Sequence, residues 1–227
     1  MTEPSTGIPC NYVEQNIIWH GRLQADAEPV NITGASLEAI EAQINSTMPG
    51  NWTWEEVAPI NDISSIDDIG GDNSVQRNIQ SEVNTVILPL RRLYNPEAPY
   101  SNLLIVAQNG IDGINCDAGG VGATNVRPIE DGIAYLRGIP GLCVVPRGPY
   151  VCSRVSCSWN SGIWLCNDKR ETLRVPCAKI GDYAQRVKDE CWFNGTPNTP
   201  FFTPMVRGQI FDTEDWNIPL GRTPDHC

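Results

Sequence analysis

Side chains alternate between apolar and polar most clearly from residue 152 to residue 168, in the stretch CSRVSCSWNSGIWLCND. The alternation breaks at Asn160-Ser161-Gly162, and a three-residue loop with Gly last predicts a β-hairpin. Because successive side chains of a strand point to opposite faces, one predicted face carries Val155, Cys157, Trp159, Ile163 and Leu165. The other face carries Arg154, Ser156, Ser158, Trp164 and Cys166. The first face is expected in the core, and the second is either covered by a helix or forms a contact surface.

Apolar residues at helical spacing predict three helices. The first follows Ser36, a residue type that favours the N-cap position, and extends to about residue 46. The second covers residues 129–137, with acidic residues in its first turn and Arg137 in its last. The third begins at residue 178, ends near residue 192, and places Cys191 on its apolar face. Each helix therefore has one apolar stripe to bury.

Short apolar or alternating runs predict strands at residues 16–19, 101–108, 142–145 and 206–212. Residues 216–220 are predicted to form a short edge segment, and residues 75–87 fit a helix and a strand equally well. Trp52 and Trp54 are expected to pack on the first helix rather than to begin a strand. Together these elements predict an α+β fold in which an antiparallel sheet is backed by two helices.

Two loops are similar to ligand-binding motifs but lack the decisive residues. Residues 61–73, NDISSIDDIGGDN, are rich in Asp and Gly without the ligand spacing of a calcium loop. Residues 110–125 are Gly-rich and follow a predicted strand, but they lack the Lys and Ser/Thr of a phosphate-binding loop. We therefore interpret the first as a solvated loop and the second as a flexible junction.

The charge is distributed unevenly along the chain. Residues 1–115 hold fifteen acidic side chains against four Arg, whereas residues 116–227 hold twelve acidic against twelve basic side chains. This difference predicts an acidic N-terminal segment, pro-region or small extra domain at residues 1–110 and a separate domain at residues 111–227. Neither part has the basic excess that a nucleic-acid partner requires, and no apolar run is long enough to span a membrane.

Cysteines are concentrated in the second part, at residues 116, 143, 152, 157, 166, 177, 191 and 227. This density predicts a disulfide-stapled domain from an oxidising compartment, because cytosolic thiols stay reduced. Eight cysteines allow 105 pairings. A bond between Cys157 and Cys191 is the simplest expectation if both lie where the third helix meets the hairpin. Cys10 is left over, either free, intermolecular or lost by processing, and no cofactor or metal is predicted.

Further features bear on secretion. Glycosylation sequons occur at Asn31, Asn45, Asn51 and Asn194, as in a secreted glycoprotein. The first twenty residues contain no charged region followed by an apolar run, so no secretory signal is visible. Two explanations stay open: the chain is a mature or trimmed form of an extracellular protein with an added Met, which we predict, or the inference of secretion is wrong.

A series of short motifs carries a family resemblance over residues 111–227. In order they are GINC at 113–116, LCV at 142–144, CSRVSC at 152–157, GIWLCND at 162–168, GQIFD at 208–212 and the terminal Cys227. In these motifs the chain resembles small secreted cysteine-rich proteins of filamentous fungi. It is similar, more distantly, to the viral killer toxins of smut fungi, which share an INC opening, a helix ending near a Cys, a GQ-containing last strand and a final Cys.

This resemblance implies an α/β sandwich of antiparallel strands backed by two helices, and a secreted toxin-like or effector-like role. Killer toxins of this type are described as blocking calcium channels, with a functional Lys near their end. The present chain has no Lys after Lys188, so channel block is not carried over.

Three functions remain open at this point. The first is a protein that binds a surface target of a host or competitor without catalysis, with Arg154, Trp164 and Trp216 as the predicted binding residues. The second is a hydrolase that uses paired carboxylates, drawn from Glu130, Asp131, Asp212, Glu214 and Asp215. The two His residues, His20 and His226, lie at opposite ends of the chain, which disfavours His-dependent hydrolysis. The third is an acidic structural protein of a cell wall.

Overall fold

The computed structural model describes residues 8–24, 26–48, 52–54, 110–195, 203–224 and 227. These residues form three helices and three largely antiparallel sheets, so the predicted α+β class is confirmed. The predicted strand at residues 101–108, the ambiguous segment 75–87 and the loop 61–73 lie outside the described residues. Asn51 and His226 also lie outside them.

The elements follow one another in this order: β1 (Val13–Glu14), β2 (Ile17–Gly21), β3 (Val30–Gly34), α1 (Leu37–Thr47), β4 (Ile111–Asn115), β5 (Thr124–Asn125), α2 (Val126–Gly138), β6 (Leu142–Val145), β7 (Val151–Ser158), β8 (Ser161–Asn167), β9 (Leu173–Pro176), α3 (Cys177–Cys191), β10 (Trp192–Asn194), β11 (Pro204–Val206), β12 (Gly208–Asp212) and β13 (Trp216–Arg222). The predicted strand at residues 206–212 is therefore divided between β11 and β12, which belong to different sheets.

The largest sheet has six strands in the order β1-β7-β8-β13-β12-β4. Its neighbouring strands are antiparallel, except that β1 runs parallel to β7. Strand β13 lies between β8 and β12, and its residues from Trp216 to Gly221 are buried on both faces. The prediction of residues 216–220 as an edge segment is therefore wrong. A strand with both faces covered is central in a sheet, and its sequence shows no simple alternation.

Strands β7 and β8 form the predicted hairpin, but its turn differs from the predicted one. Only Trp159 and Asn160 lie outside the strands, and Ser158 pairs with Ser161. Both turn residues have positive φ, 50° and 58°, as a type I′ turn requires. The predicted three-residue loop is wrong, because residues 161 and 162 belong to β8.

A β-bulge between Arg154 and Ser156 shifts the alternation along β7. An extra residue in one strand reverses the facing of every side chain beyond it. Ser156 faces α2, since a Cβ built on Gly132 would lie 2.9 Å from the Ser156 hydroxyl oxygen. Cys157, the next residue, therefore points to the opposite face, away from the helices. This reversal overturns the predicted assignment of Cys157 to the core face with Val155.

The described N-terminal residues share the core of the rest of the chain. Strand β2 pairs with β3 and with β6, in a four-stranded antiparallel sheet ordered β3-β2-β6-β9. Ile17 and Trp19 of β2 are fully buried in the same hydrophobic cluster as Cys143 and Val145 of β6. The division at residue 110, with the first part as an acidic segment, a pro-region or a small extra domain, stays a prediction.

Helix α1 confirms the predicted first helix almost residue for residue. The Ser36 hydroxyl accepts a hydrogen bond from the Ala39 N–H at 3.3 Å, as expected of an N-cap. Trp52 and Trp54 are both buried, and the Trp54 indole N–H donates to Glu41 of α1 at 3.0 Å. The expectation of packing on the first helix is confirmed for Trp54, whereas Trp52 packs against Trp54 and donates to the carbonyl oxygen of Leu23.

Helices α2 and α3 pack closely on each other. A Cβ built on Gly181 of α3 would lie 3.0 Å from the carbonyl oxygen of Ile133 in α2, so glycine is needed for this approach. Lys188 and Glu130 also join the two helices, with 3.1 Å between the ammonium nitrogen and a carboxylate oxygen. None of the helices in the described residues is long and apolar enough to cross a membrane.

Four disulfides join all eight predicted cysteines, as Cys116–Cys191, Cys143–Cys177, Cys152–Cys166 and Cys157–Cys227. The predicted Cys157–Cys191 bond is wrong, because the bulge turns Cys157 away from α3. Cys10 is free and exposed.

Candidate functional site

The turn between β7 and β8 presents an indole ring to solvent. Trp159 is 79% exposed, the largest fraction for any large apolar side chain in the described residues. Its φ of 50° lies in the left-handed region, which costs a residue with a bulky side chain about 1–2 kcal/mol. Solvent exposure offers little packing to offset that cost.

Contacts with residues near position 227 hold the turn in place. The backbone N–H of Trp159 donates to the carbonyl oxygen of Cys227 at 3.1 Å, and Cys227 is bonded to Cys157 at the end of β7. The N–H of Thr223 donates to the carbonyl oxygen of Asn160 at 3.0 Å. A disulfide and two backbone hydrogen bonds therefore fix the backbone of the turn from which the exposed indole projects.

A groove of about 690 Å³ lies beside Trp159. Its other walls are the first two turns of α2, with Asn125 just before them, and Thr203 with Pro204 at the start of β11. The hydroxyl oxygens of Thr124 and Ser161 lie 2.5 Å apart and connect the hairpin directly to the strand that precedes α2. The turn, the helix start and β11 thus form one braced surface, which we call the Trp159 groove.

Polar side chains line the Trp159 groove together with apolar ones. Val126, Pro128 and Pro204 contribute apolar surface, and Asn125, Arg127, Glu130 and Asp131 contribute exposed polar groups. Glu130 is paired with the ammonium group of Lys188. Burial lowers the pKa of the Lys188 ammonium, but its hydrogen bonds to Glu130 and Asp189 raise that pKa by more, so the net shift is upward. The side chains of Asn125, Arg127 and Asp131 make no hydrogen bond or ion pair within the described part of the chain.

No known family model, curated protein or solved structure matches this chain. The interpretation of the site therefore depends on its geometry.

The structure places the three predicted binding residues away from the surface. Trp164 is 0% exposed and Trp216 is 1% exposed, so neither indole is available to a partner. Arg154 is largely covered; its guanidinium lies 3.6 Å from Glu14 and donates to the hydroxyl of Thr223 at 3.4 Å. The N-terminal segment around Ile8 and Tyr12 packs against Trp164, which explains why the second face of the hairpin is not an open surface.

Two of the three candidate carboxylates at the β12–β13 turn, Asp212 and Glu214, have internal partners. Asp212 is buried; its Oδ2 accepts from the Tyr183 hydroxyl at 2.5 Å and lies 3.5 Å from the Lys179 ammonium. Its Oδ1 accepts from the Glu214 N–H at 2.8 Å. Burial, and then the bond to Asp212, raise the pKa of the Tyr183 hydroxyl. These contacts occupy both carboxylate oxygens, and Glu214 itself lies 3.5 Å from Lys169.

A second polar network lies at the open end of the hairpin. The Tyr12 hydroxyl donates to Asp168 at 2.8 Å, and the Asn217 amide donates to Asp168 at 2.7 Å and to Tyr12 at 2.9 Å. Gln209 in turn donates to Asn217 at 2.8 Å. Burial raises the pKa of Asp168, although the two hydrogen bonds oppose that shift. Each member has a partner within the chain, so the network is explained by packing of the sheet.

The sequence did not point to Trp159 as a candidate binding residue, because the predicted register placed it on the core face. Three further exposed aromatic residues in the described part of the chain were also missed: Tyr150, which is 55% exposed, and Trp192 and Phe193 of β10, which are 53% and 41% exposed. Strand β10 pairs with β11, the strand that contributes Pro204 to the Trp159 groove. No local signal in the sequence distinguishes these exposed aromatic side chains from buried ones.

The other predicted site residues are distributed over the surface. The described sequon residues Asn31, Asn45 and Asn194 are all exposed, in β3, α1 and β10. His20 lies beside Asn31, with 2.8 Å between its ring Nδ1 and the amide oxygen. No group of three or more His, Cys, Asp and Glu side chains in the described residues has a geometry that fits a metal ion.

Proposed function

We propose that this chain is a secreted, cysteine-rich binding protein, effector-like or toxin-like, that docks on a surface target of a host or competitor through Trp159 and catalyses no reaction. The observation that carries the proposal is the 79% exposure of an indole at a strained turn. Tryptophan is among the residues that most often dominate binding energy, because its large apolar surface leaves water when it enters a partner.

Backbone strain that packing of the Trp159 side chain does not offset supports a binding role for this residue. Asparagine, aspartate and glycine are the residues that a type I′ turn favours, and each would adopt these angles at lower cost. Unfavourable backbone conformations persist in proteins mainly where the residue serves a function. Here the residue contributes little to the core, so an external partner accounts for it best.

Rigidity of the turn supports the same role. Ordering a flexible side chain or loop on binding costs about 0.5–1.5 kcal/mol per residue, and a turn that is already fixed avoids much of that cost. The disulfide of Cys157 with Cys227 and the backbone bond from Trp159 to Cys227 provide this preorganisation.

Four disulfides support the extracellular assignment, since such bonds persist where thiols are not kept reduced. The kinship with fungal secreted proteins and killer toxins belongs to this proposal, together with the sandwich arrangement that it implies. Glycosylation is proposed at Asn31, Asn45, Asn51 and Asn194.

Hydrolysis by paired carboxylates is the alternative function, and the Trp159 groove does contain two carboxylates. Glu130 and Asp131 are consecutive residues of α2, so their side chains diverge by about 100° around the helix. The carboxyl groups of a glycosidase instead face each other across the bond, about 5–10 Å apart. Glu130 is also held by Lys188 at 3.1 Å. The arrangement therefore supports binding better than cleavage.

The test is a measurement of binding to intact cells. Fluorescently labelled protein, produced with its disulfides formed, is titrated onto fungal, plant and animal cells, and bound protein is quantified by flow cytometry. We expect saturable binding to at least one cell type and at least a tenfold weaker apparent affinity for the Trp159→Ala variant.

Tyr150→Ala is the matched control, because Tyr150 is also an exposed aromatic residue with positive φ, 55% exposed with φ 63°. It lies at the other end of β7, roughly 25–30 Å along the strand from Trp159. We expect Tyr150→Ala to bind as the unmodified chain does. Equal binding by Trp159→Ala and the unmodified chain, with both folded by circular dichroism, would refute the proposal. Release of soluble product from cell walls would favour the hydrolase.

A further inference from the structure

We infer that the Trp159 groove binds a neutral polysaccharide, with one sugar ring stacked on the Trp159 indole. This inference rests on the proposed function and specifies its ligand. Three features of the groove carry it: the exposed ring, the mixture of unpaired donors and acceptors beside it, and the near balance of its charges.

The exposed indole suits the apolar face of a sugar ring. The π-system of an aromatic ring is negative on its face, and the C–H groups of a pyranose ring are weakly positive. A flat sugar ring can therefore lie against the indole and exclude water from both surfaces. Trp159 is 79% exposed on a turn whose backbone is held by Cys227, so the ring is accessible without rearrangement of the backbone.

The polar groups of the groove match hydroxyl groups, which both donate and accept hydrogen bonds. Asn125 offers a donor and an acceptor, Arg127 offers donors, and Asp131 offers acceptors. All three side chains are exposed, and none makes a hydrogen bond or ion pair within the described part of the chain. A ligand rich in hydroxyl groups would satisfy them together.

The charges of the groove favour a neutral ligand. Arg127 is balanced by Asp131, and Glu130 is balanced by Lys188 at 3.1 Å. Nucleic acids and anionic membranes need an excess of basic residues, which neither the groove nor the chain has, with a net charge of −11. The centres of protein–protein interfaces are depleted in acidic residues, whereas this groove contains two.

The size of the groove agrees with this class of ligand. Pockets that bind small ligands measure roughly 300–1,000 Å³, and the groove measures about 690 Å³.

The experiment uses defined neutral polysaccharides as probes. The full chain is mixed with insoluble chitin, cellulose, β-1,3-glucan and mannan, and depletion from solution is measured. Soluble oligosaccharides of the same four types are then titrated while tryptophan fluorescence is followed. We expect binding to at least one probe, at least a tenfold loss for Trp159→Ala, and about a threefold to tenfold loss for Asp131→Asn.

Two control variants test whether polysaccharide binding depends on the Trp159 groove or on the general surface of the protein. Tyr150→Ala removes an exposed aromatic side chain elsewhere, and Asp112→Asn removes an exposed carboxylate of β4. Both are expected to bind the polysaccharide as the unmodified chain does. Equal losses in the control variants and the groove variants would overturn the inference.

The outcomes distinguish this inference from the proposed function. If cell binding depends on Trp159 but none of the four probes binds, and protease treatment of the cells abolishes binding, the target is a protein and only the saccharide inference fails. Binding to the anionic polysaccharide polygalacturonate in preference to the neutral probes would also overturn it. If Trp159→Ala leaves cell binding unchanged, the proposed function fails as well.

Discussion

Tyr150 and Trp159 lie at the two ends of strand β7 and share an unusual backbone conformation, with φ of 63° and 50°. Both side chains are exposed, to 55% and 79%. Their surroundings differ: the Tyr150 ring packs edge-on against Tyr12 at 5.7 Å, whereas Trp159 has no aromatic partner in the described residues. The same backbone strain is thus accompanied by an aromatic contact at one end and, within the described residues, by no aromatic contact at the other.

This difference separates an end of the hairpin that packing explains from the end to which we assign the proposed binding role. At the open end, Tyr12, Asp168 and Asn217 satisfy one another by hydrogen bonds, so the stability of the fold explains them. At the closed end, the backbone is braced by Cys227 while the indole points to solvent beside a groove. A turn with a fixed backbone that exposes a large apolar side chain is best explained by a ligand that covers this side chain.

Removing the disulfide at either end of the β7–β8 hairpin is expected to change the free energy of unfolding more than any other substitution. Replacing Cys157 and Cys227 by Ala opens a cross-link between residues 70 apart in sequence and should lower the free energy of unfolding by about 4 kcal/mol. It should also weaken cell binding, because the turn loses its brace. Thermal and urea unfolding, with the binding assay, measure the two effects.

The matched change replaces Cys152 and Cys166, which are 14 residues apart and lie towards the open end. The shorter loop predicts a loss of about 3 kcal/mol, and binding by the folded fraction should be unchanged. If both variants lost binding to the same degree at equal stability, the distinction between the two ends would be wrong.

Glycine substitutions at Trp159 and Tyr150 are expected to change the free energy of unfolding less than the disulfide variants do. For Trp159→Gly the expected change is an increase rather than a decrease. Trp159→Gly should raise the free energy of unfolding by about 1 kcal/mol, since glycine relieves the left-handed conformation and little packing is lost. Tyr150→Gly should be close to neutral, because the same relief is offset by loss of the contact with Tyr12, worth about 0.5–1.5 kcal/mol. Urea unfolding at a single pH provides the comparison.

A stabilised Trp159→Gly variant that has lost cell binding would show that stability is sacrificed for function at this turn. Destabilisation by this substitution would instead mean that the indole has a structural role.

The smallest expected effect is a pH dependence at the open end. Burial raises the pKa of Asp168 above its usual value of 3.8, so the carboxyl ionises less readily in the folded chain than in the unfolded one. Its contribution to stability is therefore complete below pH 3.8 and is lost as the pH rises through the folded pKa. The Asp168→Asn variant should lack this decline.

Urea unfolding of the unmodified chain and of Asp168→Asn between pH 3 and pH 7 isolates this contribution, since all other groups are common to both. The free energy of unfolding of the unmodified chain, relative to that of Asp168→Asn, should decrease as the pH rises. A difference that grew with pH would mean that the ionised form is favoured by folding, contrary to the burial of this carboxyl.

Local sequence patterns predicted many of the helices and strands but not their register or their packing on one another. The Ser36 cap and its apolar stripe predicted α1, and the run at residues 142–145 predicted β6 with its observed bounds. Helix α2 begins three residues earlier than predicted, with Pro128 inside its first turn. The hairpin was predicted in the wrong register, because alternation alone does not reveal the bulge between Arg154 and Ser156.

The candidate site illustrates the same limit. Trp159, Trp164 and Trp216 are chemically identical, yet one is exposed and two are buried. Their difference comes from the bulge, from the segment around Ile8 that covers Trp164, and from the packing of α3 on β13. None of these is a property of the sequence near each tryptophan.

The sequence by itself determined the α+β class, the helices at residues 37–47 and 177–191, and the presence of a disulfide framework, because helical periodicity and cysteine density are local or compositional properties. Only the tertiary structure decided the register of the hairpin, the pairing of the cysteines and the exposure of Trp159. Each of these depends on contacts between residues far apart in the chain, and a one-residue shift in a strand is enough to move a side chain from the core to the surface.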